Sequence, residues 1–276
     1  MRRLFWVVPV LLIPAATMCA KTRPPTAADN VAVTDTAAAA AAVAVASSPD
    51  IDSASVAALA RMGTYLRTLK AFQVKAATTR DEVLDSGQQV QYGGVADILV
   101  RMPDHLRAEV VGDQKHRMYF YDGKQFTVFA GLLNYYASVP APPTIGKLAD
   151  VLSDKYAIEL PLVDLFVWGT AGAKVADIKS AVDVGPSQIE GVTCEHYAFR
   201  QEGLDWQIWI QKGDYPLPRK LILTTLTDEA RPQYTAVISW NLAPSYNDAA
   251  FVFDPPADAH KIVLADVNAP PGAIKQ

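Results

Sequence analysis

Alternation between apolar and polar side chains constrains the fold of this chain more than any other feature of its sequence. Phe72, Val74 and Ala76 begin this pattern, which returns in further short segments. Turn signals such as Gly93-Gly94 separate the segments. A period of two places successive side chains on opposite faces of a strand, so each segment can bury one face. Short strands with turns between them are typical of an antiparallel meander, and we predict a mainly β chain.

Helical spacing replaces the strand pattern in two places. Asp50 or Asp52 can cap a first helix that has one apolar face. A helical insert follows in the middle of the chain, where Thr144 or Pro143 precedes one apolar helix and residues 160–168 form a second. The strand-like segments after the insert are 176–184, 192–200, 204–211, 219–226, 233–240 and 260–265. We therefore predict about eleven strands, with helices at the start and in the middle.

The N-terminus has the features of a secretory signal. Arg2 and Arg3 precede an apolar run at 4–13, and the small residues Ala15 and Ala16 follow it. The run is too short to span a bilayer as a helix, which needs roughly 20 apolar residues. The predicted organisation is a signal peptide at 1–20, a flexible leader rich in Ala and Pro at 21–50, and a single β domain at 51–276.

Cys19 has two interpretations. It is either the lipid-modified cysteine of a bacterial lipoprotein or a passive residue near a cut after Ala20. Ala16 and Met18 occupy the positions where a lipoprotein box usually has a leucine and a small residue. In both cases Cys194 is the only cysteine left as an unmodified thiol, so an internal disulfide is excluded. Membrane association is expected only through a lipid on Cys19.

Charge and motif content argue against two functional classes. The chain has 25 basic and 29 acidic residues and a net charge of -4, without the basic excess that nucleic-acid binding requires. The sequence has no nucleophile elbow, zinc-binding His-Glu-x-x-His helix, Walker loop or dinucleotide-binding glycine motif. We expect a non-enzymatic protein with no cofactor and no bound metal.

The predicted hairpin around residues 202–203 carries the most informative local pattern. A two-residue turn there places Arg200 opposite Asp205 and His196 opposite Trp209. The interpretations left open are a solvated polar face with one ion pair, a polar patch for a partner, and a zinc site. The residues predicted on the polar face are Cys194, His196, Arg200, Asp205, Gln207, Trp209 and Gln211. Those predicted on the opposite face are Tyr197, Phe199, Trp206, Ile208 and Ile210.

Several short motifs resemble known families. The sequence resembles the LolA/LolB-like superfamily of periplasmic lipoprotein carriers at 101–107 (Arg-Met-Pro-Asp-His-Leu-Arg), 121–124 (Tyr-Asp-Gly-Lys) and 135–136 (Tyr-Tyr). A closer resemblance is to a bacterial family of predicted periplasmic proteins, domain of unknown function 2092. The segments that carry it are 160–162, 191–196, 205–210, 216–220 and 251–256. The resemblance extends over residues 50–265 and brings no established site residues.

The resemblance implies a fold, a location and a kind of ligand. It implies an incomplete, half-open antiparallel β-barrel whose concave face is plugged by helices, in the periplasm of a Gram-negative cell envelope. In lipoprotein carriers the concave face shields acyl chains, so we expect a lipid or acylated ligand in a hydrophobic groove. The alternative is an envelope-tethered scaffold with a filled barrel that binds a protein partner. The residues predicted to line the groove are Tyr119, Tyr121, Tyr135, Tyr136, Leu148, Leu152, Leu165 and Trp168.

Overall fold

Strands dominate the computed structural model, which describes residues 51–269. The helices of this part of the chain are α1 (Ser53–Thr68), α2 (Ile145–Tyr156) and α3 (Asp164–Val167), and short 3-10 turns lie at Ala171–Ala173, Val175–Asp177 and Asp248–Phe251. The first six strands are β1 (Ala71–Val83), β2 (Gln89–Arg101), β3 (His105–Gly112), β4 (Lys115–Tyr121), β5 (Gln125–Ala130) and β6 (Tyr135–Pro140). The remaining strands are β7 (Ser180–Ile189), β8 (Val192–Gln201), β9 (Leu204–Gln211), β10 (Pro218–Thr225), β11 (Gln233–Asn241) and β12 (His260–Lys261).

All strands of the described residues belong to one open sheet. Its order is β12-β6-β5-β4-β3-β2-β1-β11-β10-β9-β8-β7, so the meanders β1–β6 and β7–β11 join where β1 pairs with β11. Every pairing is antiparallel except that of β12 with β6. The edge strands β12 and β7 do not pair with each other, so the sheet is not closed. The predicted half-open barrel with helices is confirmed, with twelve strands instead of about eleven.

One face of the sheet is apolar and covered by helices, and we call it the inner face. Along β1 the side chains of Phe72, Val74 and Ala76 are buried, while those of Gln73 and Lys75 are not. Residues of α2 and α3 pack against the inner face of β1–β6 and β11, and α1 packs against that of β7–β10. The alternation seen in the sequence therefore distinguishes the inner face from the outer face, part of which is also buried, as at Phe120 and Phe129.

The helix starts follow from side-chain caps. The Asp52 carboxylate accepts hydrogen bonds from the backbone N–H groups of Ala54 and Ser55 at the start of α1. The Thr144 hydroxyl accepts one from the backbone N–H of Lys147 at the start of α2. Each cap supplies a partner to an N–H group that the helix itself cannot satisfy. None of the helices among the described residues has the length and apolar character needed to cross a membrane.

Three predicted segments are shorter in the structure. The helix predicted over 160–168 is limited to α3, because Leu162 has a φ of 50°, which a right-handed helix does not allow. The segment predicted from residue 176 begins instead in a 3-10 turn, and the strand starts at Ser180. The segment predicted over 260–265 pairs at only two residues, because the chain then leaves β6 and bonds to Lys155 through the N–H of Val267.

The predicted signal peptide at 1–20, the leader at 21–50 and the lipidation candidate Cys19 lie outside the described residues.

Candidate functional site

Most of the predicted groove residues lie in one apolar layer between the sheet and the α2–α3 insert. Tyr119 and Tyr121 project from the inner face of β4, and their exposed fractions are 6% and 0%. Leu148 and Leu152 of α2 are fully buried, and Leu165 of α3 is 1% exposed. The insert therefore covers the predicted groove and fills it with its own side chains.

The remaining groove candidates are divided between the two faces. Trp168 directly follows α3 and packs against the buried residues beneath α2 and α3 as well as those beneath α1. Tyr135 is 41% exposed and lies near the edge strand, with its ring 5.6 Å from that of His260. Tyr136 lies on the outer face, where its ring is 5.1 Å from that of Phe253. The four predicted tyrosines therefore do not line one common surface, because successive strand residues face opposite ways.

A side chain from α1 holds the end of the insert. The guanidinium group of Arg67 donates hydrogen bonds to the carbonyl oxygens of Leu165 and Phe166, the latter at 3.1 Å. Burial lowers the pKa of Arg67, and its Nε has no partner among the described residues. These bonds satisfy carbonyl groups at the C-terminal end of α3, which a short helix leaves without partners. The insert is thus attached to α1 by polar contacts as well as by packing.

An acidic group lies at the border of the apolar layer. Burial raises the pKa of Asp164, the first residue of α3, to about 6, and the charge of Glu159 acts in the same direction. Tyr234 projects from the inner face of β11, and burial together with the charge of Asp164 raises its pKa. Asp164 therefore gains or loses its proton at mildly acidic pH, next to the surface that the insert covers.

The inner face continues beyond the insert. Ala76, Ala96 and Tyr119 are buried, but the next inner-face residues along their strands are less covered. We call this uncovered part of the inner face the open end. It comprises Thr78, Arg80, Tyr92, Gly94, Val110, Gly112, Lys115 and Arg117. The inner face thus runs from the apolar layer beneath the helices, past Val110, to a more polar region that solvent reaches.

The hairpin of β8 and β9 has the predicted register. Arg200 pairs with Asp205, and two guanidinium nitrogens contact the two carboxylate oxygens at 2.6 Å each. His196 pairs with Trp209, and their rings stack at 3.9 Å with an angle of 8° between their planes. His196 Nε2 also lies 3.0 Å from the amide oxygen of Gln207. Burial lowers the pKa of His196 despite this hydrogen bond.

The hairpin does not bring zinc ligands together. Cys194 pairs with Gln211, whereas Asp205 pairs with Arg200 further along the strands. Cys194 is fully buried, its thiol is 3.4 Å from the carbonyl oxygen of Val192, and burial raises its pKa. Within residues 51–269, no three His, Cys, Asp or Glu side chains are grouped so that they could hold a metal ion. Only part of the predicted polar face is solvated, because Arg200 is exposed whereas Cys194 and Trp209 are buried.

Sequence reasoning missed a polar cleft on the outer face. The cleft has a volume of about 320 Å³ and lies between β1–β3 and the loop that precedes the last 3-10 turn. Its lining residues include Asp97, Arg107, Glu109, Tyr246 and Asn247. The cleft depends on a contact between strands near the start of the chain and a loop near its end. The only local signal for it is the spacing of Arg107 and Glu109 on one strand face.

Comparison with known sequences identifies one family. The family described as "Predicted periplasmic protein (DUF2092)" matches residues 55–265. This range includes every strand of the described residues and all but the first two residues of α1. A search of curated proteins returned no match.

The solved structures to which this chain is similar come from several bacteria, and the similarity is low. An uncharacterized conserved protein from Thermus thermophilus is 14% identical with a TM-score of 0.42, over 75% of this chain and 97% of that one. LprF from Mycobacterium bovis is 13% identical with a TM-score of 0.42, over 72% and 97%. A LolA superfamily protein from Nitrosomonas europaea is 12% identical with a TM-score of 0.35, over 72% and 97%. At these levels of similarity, function has to be argued from the residues of this chain.

Proposed function

The chain belongs to the DUF2092 family of predicted periplasmic proteins, and from this premise we propose that it is a non-enzymatic binding protein for a hydrophobic chain. The ligand is a lipid or another acylated molecule in the periplasm. Its acyl chain lies on the inner face, between the sheet and the α2–α3 insert. A protein with this role needs an apolar surface that it can shield from water.

The continuity of the inner face is the observation that supports this proposal. Apolar side chains line it from Phe72 and Leu106, beneath the insert, to Val110 at the open end. The α2–α3 insert covers this surface without pairing with any strand. An acyl chain can therefore replace the side chains of the insert without breaking the hydrogen bonds of the sheet.

Entry of the ligand requires the insert to move. Leu148 and Leu152 leave no uncovered apolar surface beneath α2, so an acyl chain reaches this region by displacing the helix. The open end provides the route, because Val110 lies on the inner face there and is only partly buried. Each methylene that moves from water to the inner face contributes about 0.8 kcal/mol.

A pair of adjacent valines gives a sharp test. Val110→Trp places a bulky ring on the inner face at the open end, whereas Val111→Trp places the same ring on the outer face, where Val111 is 48% exposed. Titration with a fluorescent fatty acid should show binding to the wild type and to Val111→Trp. Val110→Trp should weaken binding at least tenfold while both variants keep the wild-type melting temperature within a few degrees. Equal affinities for the two variants would exclude the inner face as the binding surface.

The natural ligand can be sought directly. Native mass spectrometry and lipid analysis of protein isolated from its own cell envelope should reveal a bound lipid. Repeated recovery of ligand-free protein that also fails to bind fluorescent fatty acids would overturn the proposal.

A second candidate function is an interaction scaffold, which the dense packing beneath the insert favours. Leu148, Leu152 and Leu165 leave the covered part of the inner face filled in this conformation. In this alternative the barrel stays closed by its own helices, and the protein binds another envelope protein. Crosslinking in cells should then return one reproducible protein partner, and binding of fatty acids should be absent. Failure to recover a partner would count against the scaffold.

Processing of the N-terminus belongs to the same proposal. We expect cleavage of the signal peptide within residues 1–20, with residues 21–50 as a leader to a single domain at 51–276. Intact mass of the mature protein from membranes distinguishes a lipid on Cys19 from a cut after Ala20. An unmodified mass beginning at Lys21 would exclude the lipid anchor.

A further inference from the structure

Three cationic side chains belong to the open end of the inner face. Arg80 follows the buried Ala76 by four residues on β1, so both project to the same side of the sheet. Arg117 precedes the buried Tyr119 by two residues on β4, and Lys115 precedes Arg117 by two. Arg80, Lys115 and Arg117 therefore lie on the inner face, beyond the part that α2 and α3 cover.

The sheet between these cations carries little side-chain material. Lys115 pairs with Gly112, Gly112 pairs with Gly94, and Gly94 pairs with Thr78 of β1. Gly94 and Gly112 add no side chains of their own to this row, in which the Thr78 hydroxyl donates a hydrogen bond to the carbonyl oxygen of Gly94. Arg80 lies on one side of this glycine row and Lys115 and Arg117 on the other, with Val110 and the apolar inner face next to Arg117.

The cations are only partly neutralised by neighbouring acids. Arg80 contacts the Glu82 carboxylate at 3.3 Å, whereas no described carboxylate forms an ion pair with Lys115 or Arg117. Lys115 and Arg117 are exposed, and partial desolvation together with the charges of Arg80 and Arg117 lowers the pKa of Lys115. Another nearby acid, Asp113, accepts a hydrogen bond from the backbone N–H of Gly93. Like charges on one face of the sheet favour the binding of an anion.

We propose that the open end binds the anionic head group of the amphiphile whose chain occupies the inner face. This proposal rests on the proposed function and adds the ligand class to it: a phosphate or carboxylate attached to an acyl or alkyl chain. Arg80, Lys115 and Arg117 donate hydrogen bonds to the oxygens of the head group. The chain extends from there past Val110 towards the insert. The head group remains near solvent while the chain is shielded.

Two probes with the same alkyl chain distinguish binding of the head group from binding of the alkyl chain. Dodecyl phosphate carries the anionic head group, and dodecanol has the same alkyl chain without charge. The wild type should bind dodecyl phosphate at least about tenfold more tightly, since hydrogen bonds to charged groups contribute more than neutral ones. The double variant Lys115→Gln/Arg117→Gln should lose this preference and keep its affinity for dodecanol.

A matched control changes the same charges on the outer face. Lys75 and Arg107 lie there, at 3.4 Å and 3.8 Å from the carboxylates of Asp97 and Glu109. The variant Lys75→Gln/Arg107→Gln should keep the wild-type preference for dodecyl phosphate. If it loses the preference as Lys115→Gln/Arg117→Gln does, the effect reflects net charge and the head-group site is overturned. Retention of the preference in Lys115→Gln/Arg117→Gln would overturn it as well.

Failure of chain binding has a different signature. If the wild type binds neither long-chain probe, the proposed function fails, and methyl phosphate then tests the anion site alone. Shifts of the backbone amide signals of Gly94 and Gly112 in an NMR titration with methyl phosphate would still support the anion site. Absence of these shifts would overturn the anion site.

Equal affinity for methyl phosphate and dodecyl phosphate would contradict the assignment of an amphiphile, because the alkyl chain would then contribute nothing to binding.

Discussion

Gly63 of α1 and Gly169, which follows α3, pack backbone against backbone. A Cβ atom added to Gly63 would lie 2.5 Å from the backbone nitrogen of Gly169. Gly169 has a φ of +80°, a conformation that favours glycine. This contact holds α1 against the end of the insert. Trp168 lies beside it and packs against the buried residues beneath α1 and beneath the insert. Because Gly63 and Gly169 have no side chains, α1 can approach the end of the α2–α3 insert closely.

We expect Gly63→Ala to destabilise the protein by about 1–3 kcal/mol, because the added methyl group meets backbone atoms that cannot rotate away. Gly146→Ala in α2 is the matched control. No atom lies within 4 Å of a Cβ placed there, so alanine should stabilise by about 0.4–1 kcal/mol. Urea denaturation of both variants measures the difference. Similar changes in stability for the two substitutions would contradict the proposed contact.

Trp206→Ala should destabilise the protein by about 3–5 kcal/mol. Trp206 is 8% exposed, and its ring stacks on that of Phe199 at 4.3 Å. The indole N–H is buried and has no hydrogen-bond partner among the described residues. Trp206→Phe removes this unsatisfied donor and keeps an aromatic ring, so it should cost less than half as much. Thermal melts measure both effects, and a larger loss for Trp206→Phe would indicate that the N–H has a partner.

Asp205→Ala should cost at most about 1 kcal/mol, because the side chains of Arg200 and Asp205 are 56% and 30% exposed and water competes for both. A double-mutant cycle with Arg200→Ala isolates the interaction between them. High salt should reduce the coupling energy. A loss of several kcal/mol for Asp205→Ala alone would show that this carboxylate has a buried role.

Protonation of Asp164 should make stability depend on pH. Its pKa is raised from 3.8 in the unfolded chain to about 6 in the folded protein, so the folded state retains a proton that the unfolded state releases. The free energy of unfolding should therefore fall as pH rises between about 4 and 6. It should stay at the lower value above pH 6, where Asp164 is ionised in both states.

Asp164→Asn should flatten the pH profile between about pH 4 and 6, since the amide cannot titrate. Asp150→Asn changes an exposed carboxylate on α2 and is the control, which should retain the wild-type slope. Chemical denaturation at several pH values provides the measurement. A slope that is unchanged in Asp164→Asn would assign the pH dependence to other groups.

Local patterns predicted the parts of the structure that depend on neighbouring residues. The register of β8 and β9 follows from the short turn after Gln201, because a two-residue connection leaves one way to pair the strands. The burial of Trp206 and the position of Asp205 on the opposite face of the sheet follow from the period of two along the strand. The length of the α3 segment was not predictable in this way, because Leu162 adopts a left-handed conformation that its residue type disfavours.

The sequence by itself determined a mainly β chain, its helical insert and which side chains of each strand could be buried, because these depend on residues a few positions apart. Tertiary structure alone decided that β1 pairs with β11, that Tyr136 lies on the outer face against Phe253, and that Arg80 and Lys115 share the open end. Each of these contacts joins strands that are distant in sequence or not adjacent in the sheet. Their arrangement depends on how the whole sheet assembles and how the helices cover it, which no local period encodes.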